Sequence, residues 1–189
     1  MDLIAQLQVR NSASKVTEPA PSPDELEQMF QAALRSPDHA WLAPWKFVTI
    51  EGDKRGELGE LMARATKKRD PSKTEEDLDA IRSKAVRAPL IIAVAYKFVE
   101  HPKVPKQEQM LSAGCAAFSL QLAAESLGYA GIWRTGPNSF DPMVWEGLGL
   151  AENEELIGFL YIGTRLEAAK PLPYRLTDDF VESWDGLPS

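Results

Sequence analysis

Met110–Thr135, MLSAGCAAFSLQLAAESLGYAGIWRT, is the stretch on which the fold turns. Met110 to Leu127 are good helix formers, and the apolar ones (Leu111, Cys115, Phe118, Leu122 and the alanines between) go almost all the way round a helical wheel. A helix apolar on every side is a buried one, so a central position is expected. Small residues at Ala113, Gly114, Ala116 and Ala117 leave room for another backbone, either a neighbouring helix or the same helix of a second subunit. Gly128 stands where a left-handed C′ residue ends a helix. Tyr129–Ile132 then reads as a short strand that delivers Trp133, Arg134 and Thr135 to an edge. An aromatic plate, a fixed cation and a hydroxyl side by side suit a planar ligand that carries an anion.

Upstream, Leu90–Tyr96 is an almost continuous apolar run, the pattern of a strand covered on both faces. Lys54–Lys84 is the most charged part of the chain and reads as two helical segments broken at Asp70-Pro71-Ser72. Its thin apolar stripes make it a solvated face to which no chemistry is assigned. Trp45–Ile50 alternates and is a further strand. The loop before it, Ser36–Trp45, holds two prolines, two tryptophans and His39, a composition found in binding loops and in covers over a core. Ser22-Pro23-Asp24-Glu25 is a capping-box start for a helix running to Arg35.

The first helix, Asp2–Arg10, ends in Arg10-Asn11-Ser12-Ala13-Ser14-Lys15. That junction can hold a phosphate through a guanidinium, hydroxyls and turn amides, or it can be a solvated helix end. Downstream, Asp141-Pro142 opens a short helix, Leu156–Gly163 forms the last strand, and the residues from 164 onward look extended. Four strands among about six helices, with no repeat and no linker, give one domain over 1–189. The expectation is an α/β sandwich of α+β class whose strand order periodicity leaves open.

Composition narrows the function. A net charge of −7, from 28 acids against 21 bases, repels phosphate backbones on average, so nucleic acid is not an expected partner and any anion site must be a local cluster. One cysteine and two histidines exclude an internal disulfide, a multi-thiolate centre and a histidine-rich metal cage, and no metal is expected. The N-terminus lacks a signal-peptide pattern, and polar residues interrupt the central helix, which is no membrane span. A cytoplasmic protein is expected. No nucleophile elbow, P-loop or dinucleotide fingerprint occurs, and Cys115 sits among alanines where a thiol stays neutral. The economical option is a bound cofactor that does the hard step while the protein supplies contacts and orientation.

Five motifs occur in order: Arg10-x-Ser12; Arg35-Ser36-Pro37-Asp38-His39 with Pro44-Trp45-x-Phe47; Arg87-Ala88-Pro89; Ser112-Ala113-Gly114; and Gly131-Ile132-Trp133-Arg134-Thr135. The series resembles the FMN-dependent nitroreductase family, in particular its short bacterial type, from about Met1 to Thr164. The resemblance implies a mostly antiparallel central sheet flanked by helices, in an intimate homodimer with two FMN sites at the subunit interface. Arg10, Asn11 and Ser12 would hold the phosphate and ribityl chain, Trp133, Arg134 and Thr135 of the same chain would complete the pocket, and Arg35 and His39 would reach the flavin from the other subunit. The implied activity is NAD(P)H-driven reduction of a small-molecule nitroaromatic or quinone acceptor in ping-pong order, with no dedicated catalytic side chain. A flavin-binding carrier, sensor or interaction protein on the same fold is the alternative.

Overall fold

The computed structural model describes residues 2–186; Met1, and Pro188 of the expected tail, lie outside them. Six α-helices form: α1 (Leu3–Val9), α2 (Pro23–Ala33), α3 (Lys54–Arg69), α4 (Glu75–Arg82), α5 (Lys106–Ser126) and α6 (Pro142–Gly147). The strands are β1 (Val16–Thr17), β2 (Trp45–Glu51), β3 (Leu90–Lys97), β4 (Ala130–Arg134) and β5 (Glu154–Arg165). The two-residue β1 is an addition to the four expected strands, too short to leave a periodic signal.

Local chemistry sets the helix starts. Ser22 and Glu25 form the reciprocal capping box expected of α2, and Thr74 with Asp77 does the same for α4. The break between α3 and α4 falls at Asp70–Lys73, where Ser72 donates both its backbone N–H and its hydroxyl to Asp70.

Every strand pair is antiparallel. β5 is the spine: β3 lies along one edge and β4 along the other, β2 extends the sheet beyond β3, and β1 pairs with the C-terminal end of β5. Leu90 to Tyr96 of β3 are all buried, as expected of a strand covered on both faces. On one face Ile91, Ala93, Phe159 and Tyr161 pack with Leu58 and Met62 of α3 and Val144 of α6. On the other, Leu90, Ile92, Leu160 and Ile162 pack with Met29 of α2 and Ala116, Ala117 and Leu120 of α5.

α5 starts a turn earlier than its apolar run because Gln109, 1% exposed, ties the preceding loop to it. Gln109 accepts from the Val99 amide and donates to the Val99 and Val104 carbonyls. Gly128, at φ 91°, ends the helix as expected. Burial on every side is not observed in the protomer. Leu111 is 62% exposed, and Met110, Phe118 and Cys115 also face outward. Among the described residues, no helix is long and apolar enough to cross a membrane. Beyond β5 the chain is extended apart from one turn at Thr177–Asp179.

Gly158, at φ 148°, sits where β5 passes under the Trp133 indole. A Cβ there would run into the indole nitrogen and stand 2.9 Å from the Arg134 carbonyl. Both are fixed by the sheet, so Gly158→Ala is expected to cost about 2–4 kcal/mol of stability, measured by urea unfolding. A loss under about 0.5 kcal/mol would show that β4 can move away from β5 freely.

Candidate functional site

β4 runs antiparallel to β5 with Trp133 opposite Leu160 and Arg134 opposite Phe159. Successive strand residues point to opposite faces, so the neighbours Trp133 and Arg134 open into different places and do not share one edge pocket in the protomer. Trp133 donates from Nε1 to the Ile157 carbonyl at 3.3 Å and walls an apolar recess with Met110, Gly114, Phe140 and Trp145. Arg134 emerges on the face of α3 and α4, where its guanidinium carbon lies 5.9 Å from the Tyr161 ring centre.

Arg134 and Arg87 together divide two adjoining cavities. One, of about 520 Å³, is bounded by Ser14, Lys15, Val16 and Leu166 in addition to the two arginines. The other, of about 390 Å³, has an apolar floor of Met62, Ile81, Phe159 and Tyr161 and a rim that includes Thr135, Arg69, Lys73 and Lys84. Among the described residues, no Asp or Glu lines either cavity. Among the described residues, Lys84, Arg87 and Arg134 form no ion pair. Arg69 is compensated by the buried Asp141 and also donates to Thr66 and Asn138. Burial pushes the Tyr161 phenol above its usual range, while the nearby Arg134 and Arg87 charges pull it back.

The sequence reading named Lys15 in the N-terminal junction, missed Lys84 and Arg87 as members of this groove and assigned no chemistry to Lys54–Lys84. Three cations of that segment, Arg69, Lys73 and Lys84, stand on the cavity rim. A charged helix that is amphipathic looks the same in sequence whether its polar face meets bulk water or a groove. Arg87 did carry a signal: it opens the Arg-Ala-Pro motif, and Pro89 fixes where β3 begins and therefore where the guanidinium leaves the sheet.

The remaining expected site residues form two other groups. Ser12 and Ser14 line a crevice of only about 10 Å³ with Arg165, Glu167 and Lys170. Asn11, 9% exposed, donates from its side chain to the Lys170 carbonyl at 2.7 Å, and Arg165 donates to the Asn11 carbonyl. The Ala13 amide donates to the Gly131 carbonyl, which lays the junction along the free edge of β4. Arg10 sits near Glu125 at the end of α5: burial raises the Glu125 carboxyl, and Gln121, Arg10 and Arg165 oppose that rise. Arg35 is exposed after α2, and His39 Nδ1 lies 2.8 Å from Glu108 Oε2 at the start of α5. Neither lines the cavities around Arg134.

The model of the nitroreductase family matches residues 7–164. The chain belongs to that family. It is 40% identical over 164 residues to "Putative NAD(P)H nitroreductase YdjA" of Escherichia coli strain K12, covering 87% of this chain and 88% of that one. It is 39% identical over 171 residues to "Putative NAD(P)H nitroreductase" of Haemophilus influenzae, with 90% and 92% covered. Solved structures share the fold at low identity. A nitroreductase-like protein from Bacillus cereus superposes with a TM-score of 0.83 at 21% identity, covering 98% of this chain and 97% of that one. The FMN and NADPH-dependent nitroreductase NfnB from sphigopyxis sp. strain HMH gives 0.79 at 18%, covering 99% and 100%. The nitroreductase fold and the antiparallel sheet expected from the sequence are therefore both present.

In this nitroreductase-family chain Arg10 already has an electrostatic partner in Glu125. Arg10→Met removes a charge that holds the Glu125 carboxyl down, so the carboxyl is expected to titrate at a higher pH, seen by carbon NMR of the side chain. A folded-state pKa raised above the unfolded value gives stability that is present at low pH and lost as pH rises through it. The destabilisation caused by Arg10→Met should therefore grow from acidic to neutral pH. An unmoved Glu125 titration would detach Arg10 from that corner.

Proposed function

We propose that the protein is a cytoplasmic FMN-dependent oxidoreductase that uses NAD(P)H to reduce nitroaromatic or quinone-type acceptors, and that it works as a homodimer. The observation that carries this reading is the groove around Arg134 and Arg87, which is lined by cations and apolar side chains with no acid in a chain of net charge −7. A phosphorylated planar cofactor fits that chemistry: it needs fixed cations at one end and a dry wall at the other. Bound FMN would supply the redox chemistry, taking hydride from NAD(P)H and reducing the acceptor in a second half-reaction.

The chain's own residues bind and orient. The phosphate end would lie in the larger cavity, where Ser14 and Lys15 stand beside Arg134 and Lys15 is also paired with Glu167; Ser12 and Arg165 line the adjoining crevice, Arg10 lies toward Glu125, and Asn11 holds the tail against that turn through Lys170. Met62, Ile81, Phe159 and Tyr161 form the wall that excludes water, and Thr135 offers a hydroxyl at its rim. Lys84 and Arg87, which form no ion pair among the described residues, would stabilise negative charge on a bound anionic ligand as fixed cations. No side chain is assigned as a proton donor.

The dimer reading draws on α5. Leu111 and Phe118 leave an apolar strip in water beside the small residues of the same helix, and a second α5 packed on it buries both strips. Arg35 and His39 lie on the α2 flank of α5, Trp133 on the other flank. In a dimer across α5, the partner subunit's Arg35 and the partner subunit's His39 would approach the recess that Trp133 walls with Met110 and Gly114, on the opposite side of β4 from Arg134.

An anaerobic spectrum tests the reading. Purified protein is expected to carry or take up FMN, to lose the oxidised-flavin bands when NADH or NADPH is added, and to regain them with a quinone. Arg134→Ala should weaken FMN binding by about tenfold or more, the scale of one charge-assisted hydrogen bond, with apoprotein stability changed by less than about 1 kcal/mol. Absence of FMN binding would overturn the proposal, and an unchanged dissociation constant in the variant would remove Arg134 from the site.

A further inference from the structure

Trp41 stands in water beside the start of α5, 85% exposed. The turn that carries it is strained, with Ala40 at φ 64°, Trp41 at φ 59° and Ala43 at φ 47°. A bulky side chain is rarely found in that region, and such strain persists only where the surroundings over-determine it. Here Asp38 accepts from the Leu42 and Ala43 amides, and His39 is tied to Glu108 of α5, so a fixed turn projects the indole. On the other flank of α5 lies the recess of about 340 Å³ walled by Met110, Gly114, Trp133, Phe140 and Trp145. The exposed ridge of Leu111, Cys115 and Phe118 runs between the two: Ser119 meets Ser36 on the α2 side of it, and Gly114 approaches Trp133 on the β4 side.

We infer that this recess is the socket for the partner subunit's Trp41, so that each copy closes the other's recess with an aromatic ring. The inference rests on the proposed dimer across α5 and adds to it that the two α5 helices run nearly parallel. Two copies packed ridge to ridge are related by a two-fold axis in the plane of contact. An axis along α5 exchanges its flanks and keeps each residue's position along the helix, whereas an axis across α5 would lay like flank on like flank. The turn is tied at Glu108 and the recess opens at Met110 and Gly114, within about two helical turns of it. The first operation therefore sets each Trp41 over the partner's recess, twice, as an isologous contact requires. The lining suits an indole: Trp133, Trp145 and Phe140 offer ring faces and edges, and a buried indole N–H needs an acceptor. Glu155 also lines the recess, and with Lys106 held on its Oε1 it keeps Oε2 to accept that N–H.

The test measures the dimer dissociation constant of the full chain by sedimentation for the parent, Trp41→Ala, Phe140→Ala and the double variant. Phe140, like Trp41, is exposed in the protomer, at 64%, so both substitutions leave the protomer's packing in place. Each single variant is expected to weaken the dimer by about thirtyfold or more, the scale of a buried aromatic anchor at an interface. The double variant should weaken it little further, because both substitutions act on one contact. A dimer that either single variant leaves as tight as the parent, or effects that multiply in full, overturns the socket and leaves the α5 dimer standing. A parent that is monomeric at every concentration removes the dimer reading and the socket with it.

Discussion

Antiparallel pairing of β5 with β3 on one edge and β4 on the other is the constraint on which the remaining structure depends. It fixes the register at Trp133 opposite Leu160 and Arg134 opposite Phe159. Because side chains alternate across a strand, that register sends the indole to the α5 side and the guanidinium to the α3–α4 side. A slip of one residue would exchange them. Gly158 makes the register possible by leaving room beneath the indole, and Ala13, bonded to Gly131, lays the N-terminal junction along the outer edge of the same strand.

Charge is distributed against the average of the chain. With 28 acids and 21 bases, most lysines and arginines could be paired on the surface, and Arg82 is, with Glu60, Glu75 and Asp79 around it. The cations at the groove are arranged otherwise. Arg87, Arg134 and Lys84 converge on one space and repel one another there, a cost that an anionic ligand offsets. Tyr161 registers the same field, its phenol raised by burial and pulled down again by both arginines.

Much of this fold was legible in the sequence because local rules and tertiary demands agreed. Ser22 and Glu25 closed their capping box, Gly128 ended α5 in a left-handed turn, and the unbroken apolar run of β3 was buried on both faces. The failures have particular causes. The helix was expected from Met110 and not from Lys106 because the one buried side chain of its first turn, Gln109, is polar and is satisfied by the Val99 and Val104 backbone. The groove lysines looked like solvated surface because sequence does not say what a polar face looks at. Trp133 and Arg134, adjacent in sequence, leave β4 on opposite faces, which a one-dimensional motif does not show.

α5 keeps the last unsettled surface. A helix apolar all round is buried on one side by the sheet and left open on the other, where Leu111 and Phe118 meet solvent. Arg35 and His39 line neither cavity around Arg134, so the expected site residues do not come together in one protomer. The most direct measurement is FMN titration of a Leu111→Glu/Phe118→Glu variant alongside its sedimentation behaviour. The account predicts a dimer that becomes a folded monomer and binds FMN at least about tenfold more weakly, since ligand binding and assembly are then linked. A parent protein that is monomeric with stoichiometric FMN, or a monomeric variant of undiminished affinity, would contradict it.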